Sequence, residues 1–278
     1  MMSLYEKVCF ECSRHITNRY STSFSMGIKV FDPKFRMPIY AIYGFVRFAD
    51  EIVDTFHGHQ KDELLTRFRE DTYRALDERI SLNPVLHCFQ ETVHRYGIER
   101  ELIDAFLDSM EMDLHFSRYH DSLYKQYIYG SAEVVGLMCL RVFTNGDTTH
   151  YERLKAPACS LGSAFQKINF LRDMKSDFDE RGRVYFPGVD FQRFTNDDKL
   201  TIEADIKKDL DDAYKGIVKL PKGARFGVLL AYVYYTNLFA KIKRATAARV
   251  KQERIRVPDT RKVYLLFSTA VKHKMNLL

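Results

Sequence analysis

Apolar residues recur along most of this chain at the three- and four-residue spacing of amphipathic α-helices, and no segment alternates as β-strands do. Tyr20–Ser25 is interpreted as a polar turn, and Pro38 as a first-turn residue of the second helix. We find no internal repeat and no linker, so residues 1–278 are predicted to form a single all-α domain. The predicted helices cover residues 4–20, 38–54, 61–78, 83–96, 99–116, 122–143, 149–177, 201–220, 225–249 and 260–275.

The stretch Gly162–Pro187 predicts a helix that carries polar groups along one side. At about 3.6 residues per turn, Gln166, Asn169, Asp173 and Asp177 fall on one stripe. The opposite side is apolar. A helix that is apolar around most of its girth is usually buried, so the stripe is expected to face an internal cavity or a partner.

The helix that includes Pro38 repeats this pattern. Tyr43, Arg47, Asp50 and Asp54 follow one another at spacings of four, three and four residues on an otherwise apolar cylinder. Each stripe therefore ends in a pair of aspartates one helical turn apart, about 5–6 Å at Cβ, where the two carboxylates can bridge a cation. Aspartates alone favour Mg²⁺, which binds a few carboxylates together with waters and phosphates.

The D-x-x-x-D spacing also occurs at Asp104/Asp108 and Asp205/Asp209. There it lies among other charged residues, which is typical of solvated helix surfaces. The two stripes differ because apolar sequence surrounds them. They also carry or adjoin donors suited to phosphate, namely Arg47, Arg172 and Asn169. Two such pairs facing across a bundle can hold Mg²⁺ and ionise an allylic diphosphate, and the resulting carbocation needs a dry, aromatic cavity.

Charge is unevenly distributed along the chain. The net charge is +6, of which residues 241–278 carry +9 (eleven Lys and Arg against Glu253 and Asp259), leaving −3 on the remainder. This segment suggests a phosphate-bearing or membrane-surface partner, and peripheral membrane association is predicted; a solvated helix is the alternative. No nucleic-acid-binding motif accompanies the charge. The absence of a signal peptide and of a membrane-spanning segment predicts a cytoplasmic protein.

At three segments the sequence resembles the squalene/phytoene synthase family, most closely its bacterial phytoene synthases. These are YSTSFS (20–25), YAIYGFVRFADEIVD (40–54) and FQKINFLRDMKSDFDERGRVYFP (165–187), and the resemblance extends from about Tyr20 to Arg261. It implies an isoprenoid-synthase helical bundle with a central cavity. It also implies head-to-head joining of two geranylgeranyl diphosphates to phytoene, in carotenoid biosynthesis, through a cyclopropyl diphosphate intermediate.

The resemblance further implies roles for individual residues. Asp50, Asp54, Asp173 and Asp177, with Asn169, would bind Mg²⁺, or alternatively Mn²⁺. Tyr43 and Tyr129 match catalytic positions. The residues expected to bind the substrates are Ser21, Ser23, Arg47, Gln166, Asn169, Arg172 and Arg261.

Two departures from the family pattern stand out. The second motif usually reads D-x-G-E-D, whereas here it is Asp173-Met174-Lys175-Ser176-Asp177, with a carboxylate missing. Lys175 lies about 200° around the helix from Asp173 and should point away from the metal. In the serine-rich turn the family often has a basic residue where Thr22 stands.

Two alternatives remain open at this point. One is a squalene or dehydrosqualene synthase acting on farnesyl diphosphate, of which squalene synthesis requires NADPH. The other is a non-catalytic assembly factor on the same fold, whose signature would be loss of the aspartates. Substrate chain length depends on how deep the cavity runs.

Overall fold

The computed structural model describes residues 3–258 and Thr269. Within this part the chain is all-α, as predicted, and an isolated bridge between Arg118 and Val184 is its only β-type pairing. The helices of the described part, in chain order, are α1 (Leu4–Tyr20), α2 (Thr22–Lys29), α3 (Pro33–Thr55), α4 (Lys61–Glu78), α5 (Pro84–Tyr96), α6 (Arg100–His115), α7 (Asp121–Ile128), a π-helical turn (Tyr129–Glu133), α8 (Val134–Thr144), α9 (Thr148–Arg181), α10 (Asn196–Ile217), α11 (Lys222–Arg244) and α12 (Ala247–Gln252).

Two predictions near the start of the chain are wrong. The polar turn 20–25 is mostly helix, because Ser21 acts as the N-cap of α2 and accepts a hydrogen bond from the backbone N–H of Phe24 (3.2 Å). Helix α3 starts at Pro33 and not at Pro38. Asp32 caps it through the N–H of Lys34 (3.1 Å), and an Asp-Pro pair is a stronger start signal than the internal Pro38.

Other boundaries differ less. The predicted helix 122–143 is divided by the π-helical turn into α7 and α8, and the predicted helix 225–249 ends at Arg244. Helix α9 continues to Arg181 and ends at Gly182, whose φ of 66° suits glycine. The predicted helix 260–275 lies outside the described residues. A single domain over 1–278 therefore stays a prediction.

Helix α3 runs through the first hydrophobic core. Phe45 on α3 stacks on Phe89 of α5, with ring centroids 3.9 Å apart, and packs against Phe106 of α6 at 5.3 Å. All three side chains are fully buried. Because burial of each aromatic ring stabilises the fold by about 2–3 kcal/mol, this cluster fixes α3 against α5 and α6.

Helices α9, α10 and α11 form a second core around Ile168, Leu171, Ile206 and Leu238, all fully buried. Pro157 lies inside α9, and its ring packs directly against Gly216 of α10. A Cβ at position 216 would come within 2.3 Å of the Pro157 Cβ. Glycine at this position therefore allows the close approach of the two helices. The two cores leave a cavity between α3 and α9.

None of the described helices combines the length and apolarity that crossing a bilayer requires.

Candidate active site

The cavity between α3 and α9 has a volume of about 770 Å³ and is polar at one end and apolar at the other. The lining residues of four helices all place the apolar end and the polar end of the cavity in the same way. On α3 the lining residue nearest the N-terminus is Ile39 and the last aspartate is Asp54. Helix α9 proceeds from Leu154 to Asp177, again apolar first. Helix α8 and the turn before it run the opposite way, from Ser131 to apolar residues, and α11 runs from Gly227 to the tyrosines at 234 and 235.

On α3 the predicted stripe faces the cavity. Tyr43, Arg47, Asp50 and Asp54 all line it. Tyr43 stacks on Phe24 of α2 with centroids 4.7 Å apart. The guanidinium of Arg47 lies over the ring of Tyr20 (4.4 Å), 2.7 Å from Glu51 and 3.7 Å from Asp50.

On α9 each member of the second stripe is oriented by a different part of the molecule. Gln166 Nε2 donates to Ser131 Oγ of the π-helical turn (3.3 Å), and Tyr235 of α11 donates its hydroxyl proton to Asn169 Oδ1 (3.2 Å). The stripe is thus fixed from two sides. Gln166, Asn169, Asp173 and Asp177 all line the cavity.

Every aspartate of the two pairs has an arginine partner. Asp173 contacts Arg172 Nε (3.0 Å) and Arg254 Nε, the latter 2.7 Å from Oδ1. Asp54 and Asp177 both contact Arg181, at 3.3 and 3.1 Å. In the described part of the chain the charged residues that line the cavity are five aspartates and five arginines, Asp50, Asp54, Asp113, Asp173, Asp177, Arg47, Arg172, Arg181, Arg183 and Arg254.

Asp113 of α6 was not anticipated. Tyr127 donates a hydrogen bond to its Oδ2 (2.8 Å), Tyr119 donates to its Oδ1 (3.3 Å), and Arg183 lies 3.3 Å away. Attention to the apolar face of α6 could have found it, because Asp113 follows Met110 by three residues on the buried side. Asp108 is exposed, and Asp104 is half-buried and accepts a hydrogen bond from Tyr73.

Burial sets the proton affinity of these carboxyl groups. Burial raises the pKa of Asp50 to about 7; Arg47 lowers it, and repulsion from Asp54 and Asp113 raises it further. The Asp50 side chain is 34% exposed, although it lies deep among protein atoms. Burial likewise raises the pKa of Asp177 to about 7, with repulsion from Asp173. The pKa of Asp113 is raised by burial to about 6, against the lowering effect of Arg183.

Most of the predicted substrate-binding residues line the cavity. These are Ser21, Arg47, Gln166, Asn169 and Arg172. The predictions for the Ser23 side chain and for Arg261 fall outside the described part of the chain. Arg181, Arg183, Tyr185 and Arg254 also line the cavity and were not proposed. Arg181 is the last residue of α9, and Arg183 and Tyr185 follow that helix directly. All three lie within the segment 162–187 that the sequence singled out, so their closeness to Asp177 was the available signal.

Tyr129 is not where the sequence placed it. It opens the π-helical turn, is 39% exposed and does not line the cavity. Tyr127, two residues earlier, is buried and lines the polar end. Two residues correspond to about 200° around a helix, so the tyrosines at 127 and 129 cannot both face the cavity.

The donor set at the polar end suits a hard cation. Among the described residues, no three His, Cys, Asp or Glu side chains converge closely enough to hold a metal ion by themselves. Mg²⁺ at phosphate-handling sites usually takes one or two carboxylates and completes its octahedron with phosphate and water. Asp50 with Asp54, and Asp173 with Asp177, supply that number from each side.

The departures in the second motif have simple structural outcomes. Lys175 points away from the cavity, as predicted, and pairs with Asp179 on the exposed surface. Ser176 donates its hydroxyl proton to the backbone carbonyl of Asp173 (3.0 Å). Thr22 is exposed in the first turn of α2.

Comparison with known proteins agrees with this geometry. Residues 17–261 match the family model for squalene/phytoene synthase. The phytoene synthase of Pseudescherichia vulneris is 29% identical over 252 residues, covering 81% of this chain and 79% of its own. The 15-cis-phytoene synthase of Synechocystis sp. is 29% identical over 285 residues, covering 92% and 83%.

Solved structures resemble the fold. A dehydrosqualene synthase superposes with a TM-score of 0.83 at 19% identity, covering 97% of this chain and 98% of that one. The squalene synthase HpnC from Alicyclobacillus acidocaldarius gives 0.76 at 19% identity, covering 87% and 96%. With the family match over residues 17–261, these similarities establish that the chain belongs to the squalene/phytoene synthase family and is similar to its bacterial phytoene synthases.

Proposed function

We propose that this chain joins two geranylgeranyl diphosphates head to head and forms phytoene through a cyclopropyl diphosphate intermediate, as a step of carotenoid synthesis. Family membership supports the broader statement, a prenyltransferase-type enzyme acting on prenyl diphosphates. One observation carries the proposal. Two aspartate pairs face one another across the polar end of a cavity whose other end is apolar.

The arginines are the groups that would bind the two diphosphates. Arg47, Arg172 and Arg254 each lie beside an aspartate at the polar end, and a guanidinium can donate two parallel hydrogen bonds to phosphate. Ser21, Tyr43 and Gln166 add neutral donors on the same walls. These residues would hold both diphosphates at one end and so align the two tails side by side.

Mg²⁺ is the proposed metal, held by Asp50, Asp54, Asp173 and Asp177 with the amide oxygen of Asn169, and Mn²⁺ is the alternative. When bound, the metal would supply positive charge that stabilises the departing diphosphate. The rest of the cavity protects the cation left behind. Phe165 and Tyr235, stacked with centroids 3.8 Å apart, line the middle of the cavity, where aromatic faces can stabilise a carbocation and exclude water.

The decisive experiment is incubation with Mg²⁺ and either geranylgeranyl or farnesyl diphosphate, with and without NADPH, followed by analysis of the extracted hydrocarbon. A C40 product formed without NADPH supports the proposal. A C30 product would move the assignment to a dehydrosqualene or squalene synthase. No product from either substrate would favour a non-catalytic role.

We also propose cytoplasmic localisation with peripheral membrane association through the C-terminal basic segment. In the described part, residues 241–258 carry seven Lys or Arg against Glu253, a net charge of +6. Arg254 places this segment beside the polar end of the cavity. A basic surface next to a site for apolar substrates suits an anionic bilayer.

A further inference from the structure

Two aromatic rings, those of Phe31 and Phe143, close the apolar end of the cavity. Both side chains line the cavity and are 7% exposed, and their centroids lie 5.1 Å apart. Phe143 is the last but one residue of α8, and Phe31 precedes α3 by two residues. Both therefore lie at the end opposite to the aspartates. We name this pair the cavity floor.

Phe35 lies behind the floor and provides a natural comparison. Its ring packs edge-on against Phe143 with centroids 5.6 Å apart, and it is 2% exposed. It is as apolar and as buried as Phe31, yet it does not line the cavity. Truncation of Phe35 should disturb the same core without opening the floor.

Gly227 of α11 leaves the space that the Phe31 ring occupies. A Cβ at position 227 would lie 2.2 Å from Phe31 Cε1 and 2.5 Å from Cδ1, and also 2.9 Å from the carbonyl oxygen of Gly27. Contacts this short force the ring to move. Phe143 blocks movement of the Phe31 ring on one side and α11 blocks it on another, so the ring is expected to move into the cavity.

The helices give the distance from the aspartates to the floor. Asp173 is 19 residues beyond Leu154, the first cavity-lining residue of α9, so at 1.5 Å per residue the cavity is about 28 Å long along this helix. A diphosphate with a metal ion takes about 6–7 Å of this, given metal–oxygen distances of about 2.1 Å. About 20 Å remains for a tail.

A space of about 20 Å distinguishes between prenyl diphosphates with tails of different length. At about 1.2 Å per backbone bond an extended farnesyl tail is about 14 Å long, a geranylgeranyl tail about 19 Å and the next homologue, with 25 carbons, about 24 Å. We propose that Phe31, held back by Gly227, sets an upper limit of twenty carbons on the tail that this cavity accepts. This inference rests on the proposed function, because it assumes a prenyl diphosphate in the cavity.

The test uses non-ionising thiolodiphosphates with C15, C20 and C25 tails, bound in the presence of Mg²⁺ and measured by calorimetry. The wild type should bind the C20 analogue at least tenfold more tightly than the C25 analogue. Phe31→Ala should remove that difference. Gly227→Ala should weaken C20 binding at least tenfold and leave C15 binding within twofold. Phe35→Ala should keep the wild-type preference.

Circular dichroism identifies any variant that fails to fold, and Phe31→Leu replaces Phe31→Ala in that case. An unchanged C25:C20 ratio in folded Phe31 variants, or an equal change in Phe35→Ala, overturns the inference. No binding of any tail overturns it together with the proposed function. A C20 limit in a protein that makes no hydrocarbon would refute only the proposed function.

Discussion

Arg183 connects Asp54 to Asp113: its Nη1 lies 3.1 Å from Oδ1 of Asp54 and 3.3 Å from Oδ1 of Asp113. The guanidinium is 8% exposed, and Nη2 also donates to the backbone carbonyl of Asp113 (2.8 Å). One cation therefore holds two carboxylates, from α3 and α6, at the polar end of the cavity. Loss of this cation would leave the two negative charges facing each other in a poorly solvated place.

Arg183→Gln is expected to lower the free energy of unfolding by about 3–5 kcal/mol, the usual cost of removing one partner from a buried ion pair. Urea unfolding followed by circular dichroism measures it. Arg254→Gln is the matched control. Arg254 also pairs with a cavity aspartate, but its side chain is 47% exposed, so the variant should lose no more than about 1 kcal/mol. Equal losses in the two variants would contradict this account.

Asp50→Asn and Asp173→Asn should each reduce turnover by about 100-fold or more, because each removes a proposed metal ligand and very little packing. Product formation at saturating Mg²⁺ and the midpoint of thermal unfolding are measured together. Asp108→Asn, at an exposed aspartate that pairs with Arg69 outside the cavity, serves as the control and should leave turnover within twofold. Near-normal turnover of either cavity variant would refute the metal assignment.

Asp113 should make stability depend on pH. Its folded pKa of about 6 lies above the ordinary aspartate value of 3.8, so the folded state binds the proton more tightly than the unfolded state. The contribution of protonated Asp113 to the free energy of unfolding is then fully present below about pH 4, and it is lost as the pH rises through 6. Relative to the wild type, Asp113→Asn should gain about 2 kcal/mol between pH 4 and pH 7. A pH-independent difference in unfolding free energy would show that the shift is absent.

Tyr127→Phe should lower kcat/KM at least tenfold, because it removes the hydroxyl that donates to Asp113 inside the cavity. Tyr129→Phe alters a side chain outside the cavity and should stay within twofold of the wild type. The two variants differ from the wild type by the same atom, so steady-state kinetics compares positions directly. A larger loss of kcat/KM in Tyr129→Phe than in Tyr127→Phe would support Tyr129 as the active-site tyrosine, as the sequence suggested.

Replacement of Lys243, Arg244 and Arg249 together by Gln should weaken binding to anionic vesicles at low salt by about 100-fold, at about 1 kcal/mol per basic residue near a charged surface. Vesicle sedimentation measures the change. The control replaces Lys207, Lys208 and Lys215, three exposed lysines of α10 that pair with aspartates on the same helix. Equal loss in both triple variants would indicate a general charge effect.

Helical spacing was sufficient to predict the two stripes. Asp50 with Asp54, and Asp173 with Asp177, must lie on one side of their helices whatever the tertiary structure, and the apolar surroundings indicated that this side faces inward. Asn169 and Gln166 followed from the same spacing. Lys175 was correctly excluded for the same reason.

Contacts between distant segments could not be predicted in this way. Arg254 reaches Asp173 across 81 residues of sequence. Asp113 belongs to a helix whose other acidic residues are exposed or half-buried, so those residues did not indicate that this aspartate is buried. Tyr129 was assigned from the family resemblance alone, and only the orientation of the helix in the fold shows that Tyr127 is the tyrosine that lines the cavity. Helix α2 was missed because serines also favour turns, and only the fold shows that Ser21 is a cap.

The π-helical turn has a consequence for insertions and deletions. A π-type turn closes on i→i+5 hydrogen bonds and thus contains one residue more than the α-helical turn it replaces. Deletion of Ala132 would remove this extra residue, and Asp121–Thr144 could then form one continuous α-helix in which α7 and α8 keep nearly the same relative rotation. A deletion in the regular part of α7 or α8 has no such turn to absorb it and would rotate one part of the helix about 100° relative to the other. The chain should therefore tolerate loss of one residue within the π-helical turn better than loss of one residue on either side of it.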